Sequence, residues 1–416
     1  MAVRIHPEVS STQARSTMLS STEQEKRTKI TFRPSLFHHR SSTMAFEIYN
    51  DDTNDTNEFV STRGNDAYPS PKLYYRCSWK RECIENILKR AGFKKAKKKR
   101  TVCCLYWTKH LSIREFFKLN GSQRVNHFPG SWCIGRKDRI IKCLYNAKRF
   151  SQKNCLRSDE YDFLPQSWIL PCDYLKWKRA CKGKRDQFFI LKPPASSCGR
   201  GIKLVRGPKD VNKDKKCIIQ RYIKTPYLIN GKKFDLRLYV LAASFDPLRL
   251  YLFRDGLVRF ATLVYSKKSN ASRFSFLTNY SVNKKNDLYR EDNTNEDEND
   301  KWSLSNFWDV LEEKEGREKL SICQAAVRDL IVKTMIAADA EITPALRRST
   351  RSPRSCFELF GFDVLLDKSL KPWLLEVNVS PSLIVSSIWY SYCNCVKVQL
   401  TKQNSNKRPN LGWIKE

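Results

Sequence analysis

A chain of 416 residues, 41% apolar and 12% aromatic, is long enough for about two or three domains with sizeable cores, which excludes a wholly disordered polypeptide. Lys and Arg number 77 against 43 Asp and Glu, a formal net charge of +34, so nucleic acid, an anionic membrane surface and acidic protein tails are all admitted as partners. No apolar run approaches the roughly 18–20 residues of a membrane span, and no charged-then-apolar leader opens the chain. The 15 cysteines are scattered without paired C-x-x-C spacing and read as reduced thiols of a cytosolic protein.

Residues 1–70 are rich in Ser, Thr, Asn and charge and read as a disordered segment. Ile84, Ile87, Leu88 and Ala91 then recur at helical spacing, with Gly92 as the stop. The run Lys94 to Arg100 is a solvated loop, a polyanion contact or a nuclear address. From 187 onward the β-branched and aromatic content predicts strands over 187–191, 217–220, 235–243 and 248–253, with turns at Asp246-Pro247 and Asp255-Gly256. A polar, acidic loop follows over 287–300. A long helix is expected over about 319–340, with Val327, Ile331 and Thr334 on one face. Strands return at 357–366 and 373–377.

The last two strands carry the most informative chemistry. The link Lys368-Ser369-Leu370-Lys371 predicts a hairpin that sets Asp363 opposite Glu376, with Asn378 on the same face as Glu376. Two carboxylates on one apolar patch repel unless a cation joins them, and a small set of hard oxygen ligands suits magnesium shared with phosphates. The alternative is a pair of solvent-facing acids on an edge strand. Lys192 ends an apolar strand and precedes Cys198-Gly199-Arg200-Gly201, a small-residue loop able to approach phosphate or simply to turn the chain. Gln220-Arg221-Tyr222-Ile223 offers an apolar edge with free backbone groups for an adenine. Lys233, Phe234, Asp235 and Arg237 follow; for Arg237 a structural ion pair is the competing reading.

In order, Asn126-His127-Phe128-Pro129-Gly130, Ile134-Gly135-Arg136-Lys137-Asp138, Lys192-Pro193, Gly199-Arg200-Gly201-Ile202, Gln220 to Ile223, Lys233 to Arg237, Leu277-Thr278-Asn279-Tyr280-Ser281, Phe360-Gly361-Phe362-Asp363 and Leu375-Glu376-Val377-Asn378 resemble the tubulin tyrosine ligase-like family over residues 74–385. The segments around Asp246-Pro247 and Asp255-Gly256 are most similar to its glutamate-adding branch. The resemblance implies an α/β (α+β) protein of the ATP-grasp fold, with antiparallel sheets and helices. It divides the chain into 1–70, a ligase N-terminal and linker part over 71–185, a catalytic part over 186–385, and a divergent tail over 386–416.

It further implies ATP binding by Lys192, Cys198, Gly199, Gln220, Arg221, Tyr222, Ile223, Lys233, Phe234, Asp235, Thr278 and Asn279. Two Mg2+ ions would be held by Asp363, Glu376 and Asn378. Free L-glutamate would be held by Arg259, Ser281 and Lys301, and Arg237 and Lys192 would serve catalysis. The implied reaction phosphorylates an acceptor γ-carboxylate, and the amine of glutamate then displaces phosphate. The expected acceptor is the acidic C-terminal tail of tubulin, in microtubules of the cytoplasm and cytoskeleton, cilium or centriole included. The chain is expected to act as a monomer, with no nucleic-acid partner. The alternatives are a ligase adding glycine or tyrosine, or a truncated microtubule-associated pseudoenzyme, because the segment after Ser380-Pro381-Ser382-Leu383 departs from the family pattern.

Overall fold

The computed structural model describes residues 27–33, 43–49, 73–78, 81–98, 102–153, 160–183, 187–194, 199–266, 272–289, 300–383 and 413–415; for 27–33, 43–49 and 413–415 it gives the backbone course alone. Cys198, Lys99, Arg100, most of the acidic loop (290–299) and most of the tail lie outside these residues. The chain divides into two compact units, Met1–Lys109 with Ser122–Arg124, and His110–Gly121 with Val125–Glu416.

In the first unit, β1 (Arg27–Arg33) and β2 (Thr43–Tyr49) pair as an antiparallel ribbon. Both runs contain Thr, Ile and Phe, which suit paired strands. β3 (Tyr74–Cys77) runs parallel to β4 (Lys94–Lys95) and β5 (Leu105–Trp107). The predicted amphipathic helix is α1 (Glu82–Arg90). It buries Leu88 and stops before Gly92, whose φ of 78° only glycine adopts without cost.

The second unit holds two antiparallel sheets and a helical layer. Its chain passes through α2 (Ile113–Phe117), α3 (Trp132–Gly135) and α4 (Lys137–Lys153); β6 (Arg124–Val125), the last strand in the order β4-β3-β5-β6, falls where the chain passes from one unit to the other. The smaller sheet takes the order β7-β10-β8-β9, from β7 (Ser167–Leu170), β8 (Phe189–Lys192), β9 (Lys203–Val205) and β10 (Cys217–Arg221), with α5 (Tyr174–Cys181) packed on β7. Its core gathers Trp168, Trp177, Phe189 and Ile219.

The larger sheet is built on a long hairpin, β12 (Lys232–Phe245) and β13 (Leu248–Phe260), preceded by β11 (Leu228–Ile229). Short helices α6 (Arg273–Phe276) and α7 (Tyr280–Asn283) lead to β14 (Lys301–Ser303), α8 (Leu304–Glu315) and α9 (Arg317–Ser349). β15 (Glu358–Leu366) and β16 (Pro372–Asn378) complete the order β14-β13-β12-β15-β16; β17 (Trp413–Lys415) pairs with β13. The expected turn at Asp255-Gly256 does not form: β13 runs straight through it to Phe260. Asp255 Oδ1 instead accepts from Gly256, Leu304 and Ser305 N–H groups, so it caps the start of α8.

Alternation along the strands decides what the large sheet does with its two faces. One face carries Phe234, Leu236, Leu238, Val258, Phe260, Phe362 and Val364, all buried, and Phe234 packs on Phe307 of α8 at 5.0 Å. α9 adds Val327, Ile331, Thr334 and Ala338 to the core, and its single-face pattern is the one expected over 319–340. The opposite face carries the charges.

Candidate active site

The charged face is a lattice set by strand register. Lys301, Arg259 and Asp235 lie in one row across β14, β13 and β12. Arg237, Asp363 and Glu376 lie in a second row, across β12, β15 and β16. Directly opposed residues share a face, so six ionisable side chains are brought together. The predicted hairpin forms with Asp363 opposite Glu376. Just past this pair the register slips by one residue, and both Leu375 and Glu376 line a cleft between the two sheets.

The ion pairs in this lattice are short and buried. Arg237 donates to Asp363 through Nε at 2.5 Å and Nη2 at 3.2 Å. Arg259 donates to Asp235 at 2.7 and 2.8 Å and reaches Asp363 at 2.9 Å. Thr278 Oγ1 donates to Asp235 at 2.5 Å. Burial alone would raise Asp363, but the two guanidinium groups hold its carboxyl well below the usual carboxylate range. Glu376 is paired with Lys137 at 2.6 Å.

Two buried lysines complete the cleft, Lys192 from the smaller sheet and Lys233 from the same strand and face as Asp235. Lys192, at the end of β8, donates to Gln220 Oε1 at 2.8 Å, and Gln220 donates in turn to Ser167 Oγ at 3.0 Å. Burial pushes Lys192 down to about 8, against the pull of Glu376 and Asp363 and with the push of Lys137. Lys233 donates to Phe276 O at 3.0 Å and lies 4.7 Å from the centre of the Tyr222 ring. Burial pushes it down to about 7, opposed by Asp235.

The expected nucleotide contacts fall into place unevenly. Lys192, Gly199, Gln220, Arg221, Tyr222, Ile223, Lys233, Asp235, Thr278 and Asn279 all line the cleft with Asp363 and Glu376. Phe234 does not: in a strand it faces away from Lys233 and Asp235, and its ring belongs to the core. Arg237 sits under Asp363, an ion pair as its competing reading held. Asn378 donates to Gly361 O at 3.3 Å at the strand end. Ser281 lies on α7, and Lys301 places its ammonium 4.0 Å over the Tyr280 ring, while Arg259 is fully occupied by two acids. Lys137, in the motif Ile134 to Asp138, has no role in the sequence reading. It lines the cleft, and the signal for it was the Arg136-Lys137-Asp138 match alone.

The cleft suits a polyanion with a divalent cation. Among the described residues, neither Lys192 nor Lys233 has a carboxylate within hydrogen-bond range, and Arg221 Nε is buried without a hydrogen-bond partner. Gly199, at φ +67°, packs so closely on α7 and the residue before it that a Cβ would stand 2.8 Å from Val282 and 3.0 Å from Asn279 Oδ1, so only glycine fits at this point of the cleft lining. Asp363 and Glu376 supply hard oxygens. A cation there competes with Lys137 and Arg259 for the same atoms.

Residues 117–395 match the tubulin-tyrosine ligase family. The chain belongs to that family. It is 46% identical over 288 residues to the human tubulin monoglutamylase TTLL4, a match covering 68% of this chain and 23% of that protein. It is 42% identical over 305 residues to the human tubulin polyglutamylase TTLL5 (72% and 23%) and 39% over 282 residues to the Caenorhabditis elegans tubulin polyglutamylase ttll-4 (67% and 45%). The matched region thus spans about a quarter of the two human relatives. Ligases of this family use ATP and magnesium. Among the described residues no helix is long and apolar enough to cross a membrane.

Proposed function

We propose that this chain is an ATP- and magnesium-dependent ligase of the ATP-grasp fold that joins the amine of free glutamate to the γ-carboxylate of a glutamate in an acidic tubulin tail. The observation that carries the reading is the convergence, in one cleft, of two buried lysines with two facing carboxylates, in a chain whose relatives are named tubulin glutamylases. Lys192 and Lys233 would hold nucleotide phosphates, and the backbone of Gln220 to Ile223 would line the base. Asp363 and Glu376, with Asn378 behind them, would hold two magnesium ions. The metal, when bound, spreads the charge of the transferred phosphoryl group.

Arg259 would turn part of its guanidinium to the glutamate side chain, with Lys301 and Ser281 beside it, because a planar fork recognises a carboxylate through two bonds. Arg237, held by Asp363, would face the reacting carboxylate as a fixed positive charge. A tubulin acceptor would put the protein on microtubules, in the cytoplasm and on the cytoskeleton. The relatives' names include both a monoglutamylase and polyglutamylases, so the proposal is glutamate transfer as such, covering initiation and elongation alike.

The test is incorporation of labelled glutamate into microtubules by the purified chain. Incorporation should require ATP and magnesium and should be lost in Glu376→Gln. Labelled glycine or tyrosine entering in place of glutamate would refute the amino-acid assignment.

A further inference from the structure

The motif Asn126 to Gly130 lies outside the cleft, yet it meets a carboxyl group that is wholly buried. Glu358, the first residue of β15, is 0% exposed. Its Oε1 lies 2.6 Å from His127 Nδ1 and accepts from Ser131 Oγ at 3.3 Å; its Oε2 accepts from Phe128 N–H at 2.9 Å. His110 completes the cluster, with Nε2 at 3.6 Å from Oε1 and its ring stacked on His127 at 3.8 Å. The two imidazoles are the titratable groups that face Glu358, and no Lys or Arg of the described residues pairs with it. Burial raises Glu358 to about 8, against the pull of His110 and the Phe128 and Ser131 hydrogen bonds, and lowers His110 to about 4.

This cluster grips the short path that leads to Lys137. Ser131 is the N-cap residue of α3, but its hydroxyl points to Glu358 instead of capping the helix. A helix of four residues has little stability of its own, so tertiary contacts fix it. At its other end Gly135 sits so close to Val379 that a Cβ would stand 2.3 Å from Cγ1. Lys137 follows two residues later and meets Glu376.

We propose that Glu358 is a positioning residue: through His127, Phe128 and Ser131 it fixes the α3 turn and thereby holds the Lys137 ammonium in the cleft lining, where it meets phosphate once magnesium takes Glu376. The inference rests on that cleft being the nucleotide site. It is tested by a double-mutant cycle on magnesium–ATP affinity, titrated with a fluorescent ATP analogue against wild type, Glu358→Gln, Lys137→Ala and the double variant. Glu358→Gln should weaken binding roughly tenfold when Lys137 is present and less than about twofold when it is not. An equal loss in both backgrounds, which a general structural role gives, overturns the proposal, and so does no loss in either. If Glu358→Gln does not fold by circular dichroism, Ser131→Ala takes its place in the cycle with the same two outcomes. Coupling in a protein that incorporates no glutamate would leave the positioning role standing and remove the ligase reading. Glutamate incorporation without coupling would remove the positioning role alone.

Discussion

Burial lowers Lys233 to about 7 and Lys192 to about 8, so between pH 7 and 9 both pass from charged to neutral. A bound triphosphate favours their charged forms and raises both values, so binding takes up protons. The sign follows: nucleotide affinity falls as pH rises through this window, by at most about tenfold per pH unit for each lysine that must be protonated. In the free protein the same depressed values act the other way. Above pH 7 the unfolded chain keeps protons on these lysines that the folded chain has released, so their contribution to stability rises with pH. Titrating ATP at saturating magnesium from pH 6.5 to 9 should show the loss, and Lys233→Met should bind weakly with a shallower pH dependence. A wild-type affinity that is flat across the range would mean that neither ammonium touches phosphate.

The long β12–β13 hairpin is what turns scattered ions into a lattice, and its closest backbone approach is at Gly256. A Cβ there would lie 2.5 Å from Arg237 O, in the middle of the ladder that aligns Asp235 with Arg259. Gly256→Ala should therefore force the strands apart and destabilise the chain by about 1–3 kcal/mol, read as a lower urea midpoint. The Asp363–Glu376 hairpin was legible in the sequence because a four-residue polar link between apolar runs leaves one sensible register. The Asp235–Arg259–Asp363 bridge was not, because it depends on the register of β12 and β13 beyond two irregularities, at Leu238/Val240 and Ala242/Ser244. Asp255-Gly256 misled because a local turn preference lost to a cap that Asp255 makes with residues far along the chain. The Phe234 ring, expected beside a nucleotide, is turned into the core by strand alternation, away from Lys233 and Asp235. The role of Lys137 is not legible in the sequence because its partner, Glu376, lies far along the chain.

A formal charge of +34 far exceeds what the cleft holds, since its lining sets five Lys and Arg against Asp235, Asp363 and Glu376. The surplus is therefore a surface property, and it acts at a distance on acidic partners. One concentrated source is the run after α1, where Lys94, Lys95, Lys97 and Lys98 are exposed. Lys95 is offset by Glu85 at 2.7 Å, which leaves Lys94, Lys97 and Lys98 without an ion pair among the described residues. Exposed charges are screened over about 8 Å at physiological ionic strength, so any contact they make with an acidic tail is strongly salt-dependent. Replacing Lys94, Lys97 and Lys98 by Gln should weaken association with microtubules and flatten the slope of log affinity against log salt from 50 to 300 mM. ATP affinity should stay unchanged, because none of the three lines the cleft. Cosedimentation across that salt series, beside a nucleotide titration on the same variant, separates the two effects. An unchanged slope would show that the acidic tail is met by other lysines of the chain.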